Sequence, residues 1–241
     1  MHRGVVVHSF FLTRIAVAVV AAMTLAGPAM ADTPDPVREK AAAIIGRFDA
    51  ALRACGVEPE FVPGIVIDSD PTIISFYDRT RSVHLSRWSE MPPPVQGLME
   101  AWAEGGTLGL APEAHFAEIF NSLLIPHELG HYVAMMDGRF RTQDFWTNEV
   151  QANRIALAFW AMDAEPGRPL ADRVENFTRF LSALPDPVPA GQDPRAYFEA
   201  NYEALGADPM AYGWYQGAFM RAAWAEHESA GFCDLVKPAV T

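Results

Sequence analysis

The sequence predicts an α+β fold, with a small N-terminal β-sheet, antiparallel or mixed, and a mainly helical C-terminal part. Three observations predict it. Between Phe61 and Trp88 the apolar residues come in short β-branched and aromatic runs. After Pro112 they recur at three- and four-residue intervals. Proline-rich breaks at 92–94 and 185–189 punctuate the chain between such segments. At 241 residues and 50% apolar composition the chain can bury a core without covalent staples. Its net charge of -12 argues against a nucleic-acid partner, because phosphate binding needs a basic face. The same charge argues against docking on anionic lipid.

The first thirty-one residues read as an address. Arg3 and Arg14 precede an apolar run from Ile15 to Ala26, and Ala29-Met30-Ala31 offers a small-x-small cleavage site. The expectation is a signal peptide over 1–31 and one domain over 32–241, with its sheet in 32–110 and its helices in 111–241. An uncleaved N-terminal anchor is the alternative. The apolar run is short for a bilayer span, so no stable membrane insertion is expected after cleavage. The implied location is periplasmic or secreted. Cys55 and Cys233 are the only cysteines. In an oxidising compartment they form either one disulfide joining the ends of the domain or two buried thiols.

Residues 36–55 space Ala, Ile, Phe and Leu for an amphipathic helix. The runs 64–70, 72–78 and 82–88 read as strands, and Asp78-Arg79-Thr80-Arg81 can turn the second into the third. A short helix follows over 95–104, ended by Gly105-Gly106. Further helices are expected over 113–137, 146–162, 171–184, 194–204 and 209–229.

One segment carries chemistry. His127-Glu128-Leu129-Gly130-His131 is an H-E-x-x-H pattern on an apolar helix. On a helix its two histidines lie about 40° apart in rotation and about 6 Å apart in rise, so both imidazoles reach one ion. Glu128 falls beside that ion, where a general base would stand. A catalytic zinc site takes three protein ligands. Glu149 opens a second apolar helix, where a carboxylate needs a partner or a metal, and the intervening residues let the chain turn and return. Thr147 is placed to cap that helix.

With Glu149-x-x-Ala152-Asn153-x-x-Ala156 following at this distance, the motif resembles the gluzincin zinc metallopeptidases, the thermolysin-like clan with its small single-domain minigluzincin forms. The resemblance implies that His127, His131 and Glu149 bind Zn2+, and that Glu128 activates the attacking water. It implies a peptide or unfolded-protein substrate, and an exported peptidase with H-E-x-x-H on its active-site helix. Asn153 stands where the clan often has an acid supporting a histidine ligand; an amide oxygen still accepts the imidazole N–H, without charge assistance. Pro126 departs from the extended pattern, so the helix kinks or a new one starts there.

The reaction also asks for an oxyanion donor. Tyr212, Tyr215, Arg221 and His227 in the C-terminal helices are the candidates, with ordinary helix packing as the plainer role. His84 and His115 read as surface or hydrogen-bonded core residues. The strands around 72–87 serve either as an edge for substrate pairing or as a structural hairpin. Two readings compete with the peptidase. One is a zinc-stabilised periplasmic binding or envelope-assembly protein with little or no hydrolytic activity. The other is a helical domain with a coincidental motif.

Overall fold

The computed structural model describes residues 35–69, 73–165 and 167–237; the expected signal peptide, 1–31, lies outside them. The first helix, α1 (Pro36–Ala54), starts where Asp35 Oδ1 accepts the backbone N–H groups of Val37 and Arg38. Its apolar face, Ala41, Ile44, Ile45, Phe48 and Leu52, is buried. At its end Cys55 is joined by a disulfide to Cys233, so the first and last helices are tied together.

Three short strands follow: β1 (Gly64–Ile67), β2 (Ile74–Tyr77) and β3 (Ser82–Leu85). β2 and β3 form the expected antiparallel hairpin, with Phe76 opposite Val83. Arg81 closes the turn in the left-handed region, at φ +52°. β1 pairs with β3 in parallel, so the sheet is mixed, with order β1-β3-β2. β2 is therefore an edge. Ser86 N–H donates to Ile73 C=O, which by antiparallel alternation turns the main-chain groups of Ile74 and Phe76 outward.

The remainder is helical: α2 (Pro93–Gly105), α3 (Pro112–Glu118), α4 (Ile125–Met136), α5 (Phe145–Met162), α6 (Leu170–Leu181), α7 (Pro194–Gly206), α8 (Pro209–Ala225) and α9 (Phe232–Val236). Among the described residues, no helix is long and apolar enough to cross a membrane. The helix expected over 113–137 is interrupted. Residues Ile119–Leu123 form a π-helical turn in which Leu124 N–H reaches back to Ile119 C=O, and α4 begins beyond it. Pro126 is the cause: it lacks an N–H, fits only the first turn of a helix, and so forces a restart. Trp160 Nε1 on α5 donates to the Leu123 carbonyl at 3.0 Å, satisfying the irregular backbone from outside.

The main core runs through both parts of the chain, from Ile44 and Phe48 through Val83 and Leu85 to Phe159 and Phe232. A smaller aromatic cluster of Phe198, Tyr215 and Phe219 lies between α7 and α8, with Trp146 of α5 against it.

Candidate metal centre

The site is set by how closely α4 and α5 pack. A Cβ on Gly130 would lie 2.7 Å from Ala152 Cα, so the helices touch backbone to backbone only because residue 130 is glycine. His127 meets Asn153, Gly130 meets Ala152 and His131 meets Glu149, so the two helices run antiparallel. This registry brings both histidines of α4 to the carboxylate of α5. The start of α5 is fixed by Asp144, whose Oδ1 accepts Thr147 N–H at 2.7 Å. Thr147 is therefore not the cap; its hydroxyl accepts from Arg195 instead. Glu199 of α7 accepts the N–H groups of Phe145 and Trp146, completing that helix end.

The ligand atoms of His127, His131 and Glu149 all lie within 4.8 Å of one another. The two Nε2 atoms are 3.1 Å apart, His127 Nε2 is 3.4 Å from Glu149 Oε2, and His131 Nε2 is 3.8 Å from Glu149 Oε1. A tetrahedral ion at metal–nitrogen distances of about 2.0–2.1 Å spaces its ligands about 3.3 Å apart, so the group has the right size. The protonation pattern agrees. Asn153 Nδ2 donates to the Glu149 carbonyl, which turns Asn153 Oδ1 towards His127 Nδ1 at 3.1 Å. His127 then carries its proton on Nδ1 and points the Nε2 lone pair into the group. Asn153 is thus hydrogen-bonded to both His127 and the Glu149 backbone. His131 Nδ1 is buried without a hydrogen-bond partner among the described residues. The three residues could hold a metal ion.

The electrostatics follow from burial. Burial opposes charge on His127, but its contact with Glu149 and the nearby Glu128 hold its pKa above the ordinary value. His131 is pushed down to about 4 by burial, and His127 beside it adds to that. Burial works to raise Glu149, yet the two imidazoles and Gln216 bring it down to about 2. Glu128 is pushed up to about 7, chiefly by burial and further by Glu149. Its Oε2 accepts the Phe76 N–H of the β2 edge at 2.7 Å.

Of the four suggested oxyanion donors, only Tyr212 joins this site. Burial raises its pKa well above the usual phenol value, and the charges of Glu149 and Glu128 raise it further. Tyr215 donates its hydroxyl to Pro194 C=O inside the aromatic cluster. Arg221 Nη1 donates to Ser182 Oγ. His227 stacks on Trp224 with ring centroids 3.7 Å apart. These three are engaged in helix packing because they occupy other faces of α8 or lie beyond its end. His84 lies beside Tyr77 in the hairpin. His115 is fully buried, and neither ring nitrogen has a hydrogen-bond partner among the described residues; it is neither a surface nor a satisfied core histidine.

Sequence reasoning passed over Gln216, whose Nε2 donates to Glu149 Oε2 at 3.3 Å, and Tyr202, whose pKa is raised to about 12 by burial and Glu149. Gln216 lies four residues after Tyr212, on the same face of α8, and that spacing was the available signal.

Fold and site together define a class: an α+β protein with a buried two-histidine, one-carboxylate group on neighbouring helices. No protein-family model, curated protein or solved structure matches the chain.

Proposed function

We propose that the chain is an exported, gluzincin-type zinc metallopeptidase that hydrolyses peptide bonds in peptides or unfolded proteins. The observation that carries the reading is the buried base Glu128 next to three ligand atoms spaced for one ion. A purely structural metal site has no use for such a base. Zinc in this site would supply a Lewis acid that acidifies water and polarises a carbonyl.

The chain's own residues do the rest. Glu128, with a pKa near neutrality, takes a proton from water and returns it to the leaving amine nitrogen. The Phe76 N–H occupies one of its oxygens and leaves the other for this transfer. Tyr212 stays protonated because burial and neighbouring carboxylates oppose its ionisation, so its hydroxyl is available to an oxyanion. The outward main-chain groups of Ile74 and the carbonyl of Phe76 offer a substrate strand its pairing edge, while the Phe76 N–H stays on Glu128. Export accords with the Cys55–Cys233 disulfide, since such bonds persist in oxidising compartments.

Glu128→Gln is the test. The amide cannot accept the proton, so hydrolysis of a peptide library should fall by about 10²-fold or more while bound zinc stays at the parent stoichiometry. A variant that cleaves as fast as the parent would refute the assignment. A zinc-loaded parent that cleaves nothing would favour the binding-protein alternative.

A further inference from the structure

We infer that Gln216 is a positioning residue of the metal centre, fixing the carboxylate of Glu149. The inference rests on the metal reading above. Glu149 projects from α5, and of its two carboxylate oxygens Oε2 takes the Gln216 N–H from α8 at 3.3 Å. Residue 216 lies within α8, so that helix presents the amide against the third ligand.

The arrangement repeats a device seen on the other side of the centre. There Asn153 bridges the Glu149 carbonyl and the His127 ring, which sets the ring's tautomer and direction. Both supports are neutral amides. Neither adds charge, so Glu149 remains the one anionic ligand of the three. An amide donor stabilises the ionised carboxylate and stops its rotation about the last side-chain torsion, which is the freedom a ligand loses when it binds an ion.

Gln216→Met keeps the length and volume of the side chain and removes the donor. Zinc affinity, measured by chelator competition, should fall about 10-fold to 100-fold. The visible bands of the cobalt-loaded protein should shift, while the metal-free melting temperature stays at the parent value. Gln216→Ala should repeat the fall in affinity. Unchanged affinity and unchanged cobalt bands in both variants would overturn the inference while leaving the metal site intact. An equal loss of metal-free stability in both variants would also overturn it, because the amide would then be holding α8 against α5. A parent that takes up no zinc, indistinguishable from His131→Ala, would instead sink the metal reading itself.

Discussion

Two buried glutamates of this protein keep opposite company. Glu118 ends α3 and is 1% exposed; Glu149 opens α5 and is 8% exposed. Around Glu118 stand guanidinium groups: Arg173 Nε at 2.5 Å, and Arg168 on its other oxygen. Arg173 is itself buried, bonds Ser122 Oγ at 3.0 Å and lies 4.2 Å over the Trp160 ring. Glu165 extends the network, accepting from Lys40 and Ser122. Burial raises the Glu165 pKa, but Lys40, Ser122 and Arg173 bring it below its ordinary value. Every charge there meets a permanent opposite charge. Around Glu149 stand two imidazoles and one amide, with Nε2 facing Nε2 at 3.1 Å. The same burial therefore means different things. An arginine cannot lose its proton, so the Glu118 network is closed. The Glu149 group is two imidazoles and a carboxylate converging on one point, and it could hold a cation.

The largest expected effect breaks the closed side. Glu118→Gln leaves Arg173 buried beside a neutral amide. Removing one partner of such a pair costs about 3–5 kcal/mol. Calorimetry should read a melting temperature lowered by about 10 °C, since each kcal/mol moves a domain of this size by about 2–4 °C. Metal stoichiometry should not change. A melting temperature within a degree of the parent would show that the network is ornamental.

The open side should respond in the reverse sense. Excess zinc at about 100 times its dissociation constant should stabilise the parent by about 2.7 kcal/mol, because the ion binds only the folded arrangement. Glu149→Gln should abolish that gain and cost the metal-free protein less stability than Glu118→Gln does. If Glu149→Gln instead unfolded the metal-free protein as severely as Glu118→Gln does, the two carboxylates would be the same kind of object. The distinction drawn from their neighbours would then fail.

The two sites also differ in how far the sequence discloses them. The His127–His131 spacing is local, and helix geometry alone aligns the rings, so that half of the centre was legible. The partners of Glu118 lie 50 and 55 residues further on, and nothing near it in the chain marks them. The expectation that a carboxylate on an apolar helix needs a partner or a metal applies equally to both residues; only tertiary contacts separate them. The fold was read to a similar depth. Helix periodicity and the hairpin were visible, but the parallel pairing of β1 with β3 was not, because it joins strands that are not neighbours in sequence. The π-helical turn was half visible. Pro126 announced a break, while the length of the detour depends on Trp160 reaching the freed carbonyl. Gly130 is the reverse case: in sequence it is a neutral filler of the motif, and in the fold it sets the distance between the helices.

The smallest expected effect concerns a third kind of buried polar group, which has neither a counter-charge nor ligand partners. His115 is wedged against the Trp102 ring, with centroids 5.7 Å apart, and a Cβ on Gly106 would lie 3.0 Å from its Cε1. Burial lowers its pKa from 6.5. Above about pH 6.5 both folded and unfolded chains hold His115 neutral, and it adds no pH dependence. Below that pH the unfolded chain takes up a proton that the folded chain refuses, so stability falls as the pH drops towards the folded-state value. The slope from one such group is at most about 1.4 kcal/mol per pH unit. His115→Phe removes the proton site and keeps a ring in the cavity. Its unfolding free energy should therefore fall less steeply than the parent's between pH 6.5 and 5.5, while the two curves run parallel above pH 7. Every other group, the metal-free centre included, is common to both proteins, so the difference between the curves isolates His115. Parallel curves throughout would mean that the ring finds a proton acceptor once charged.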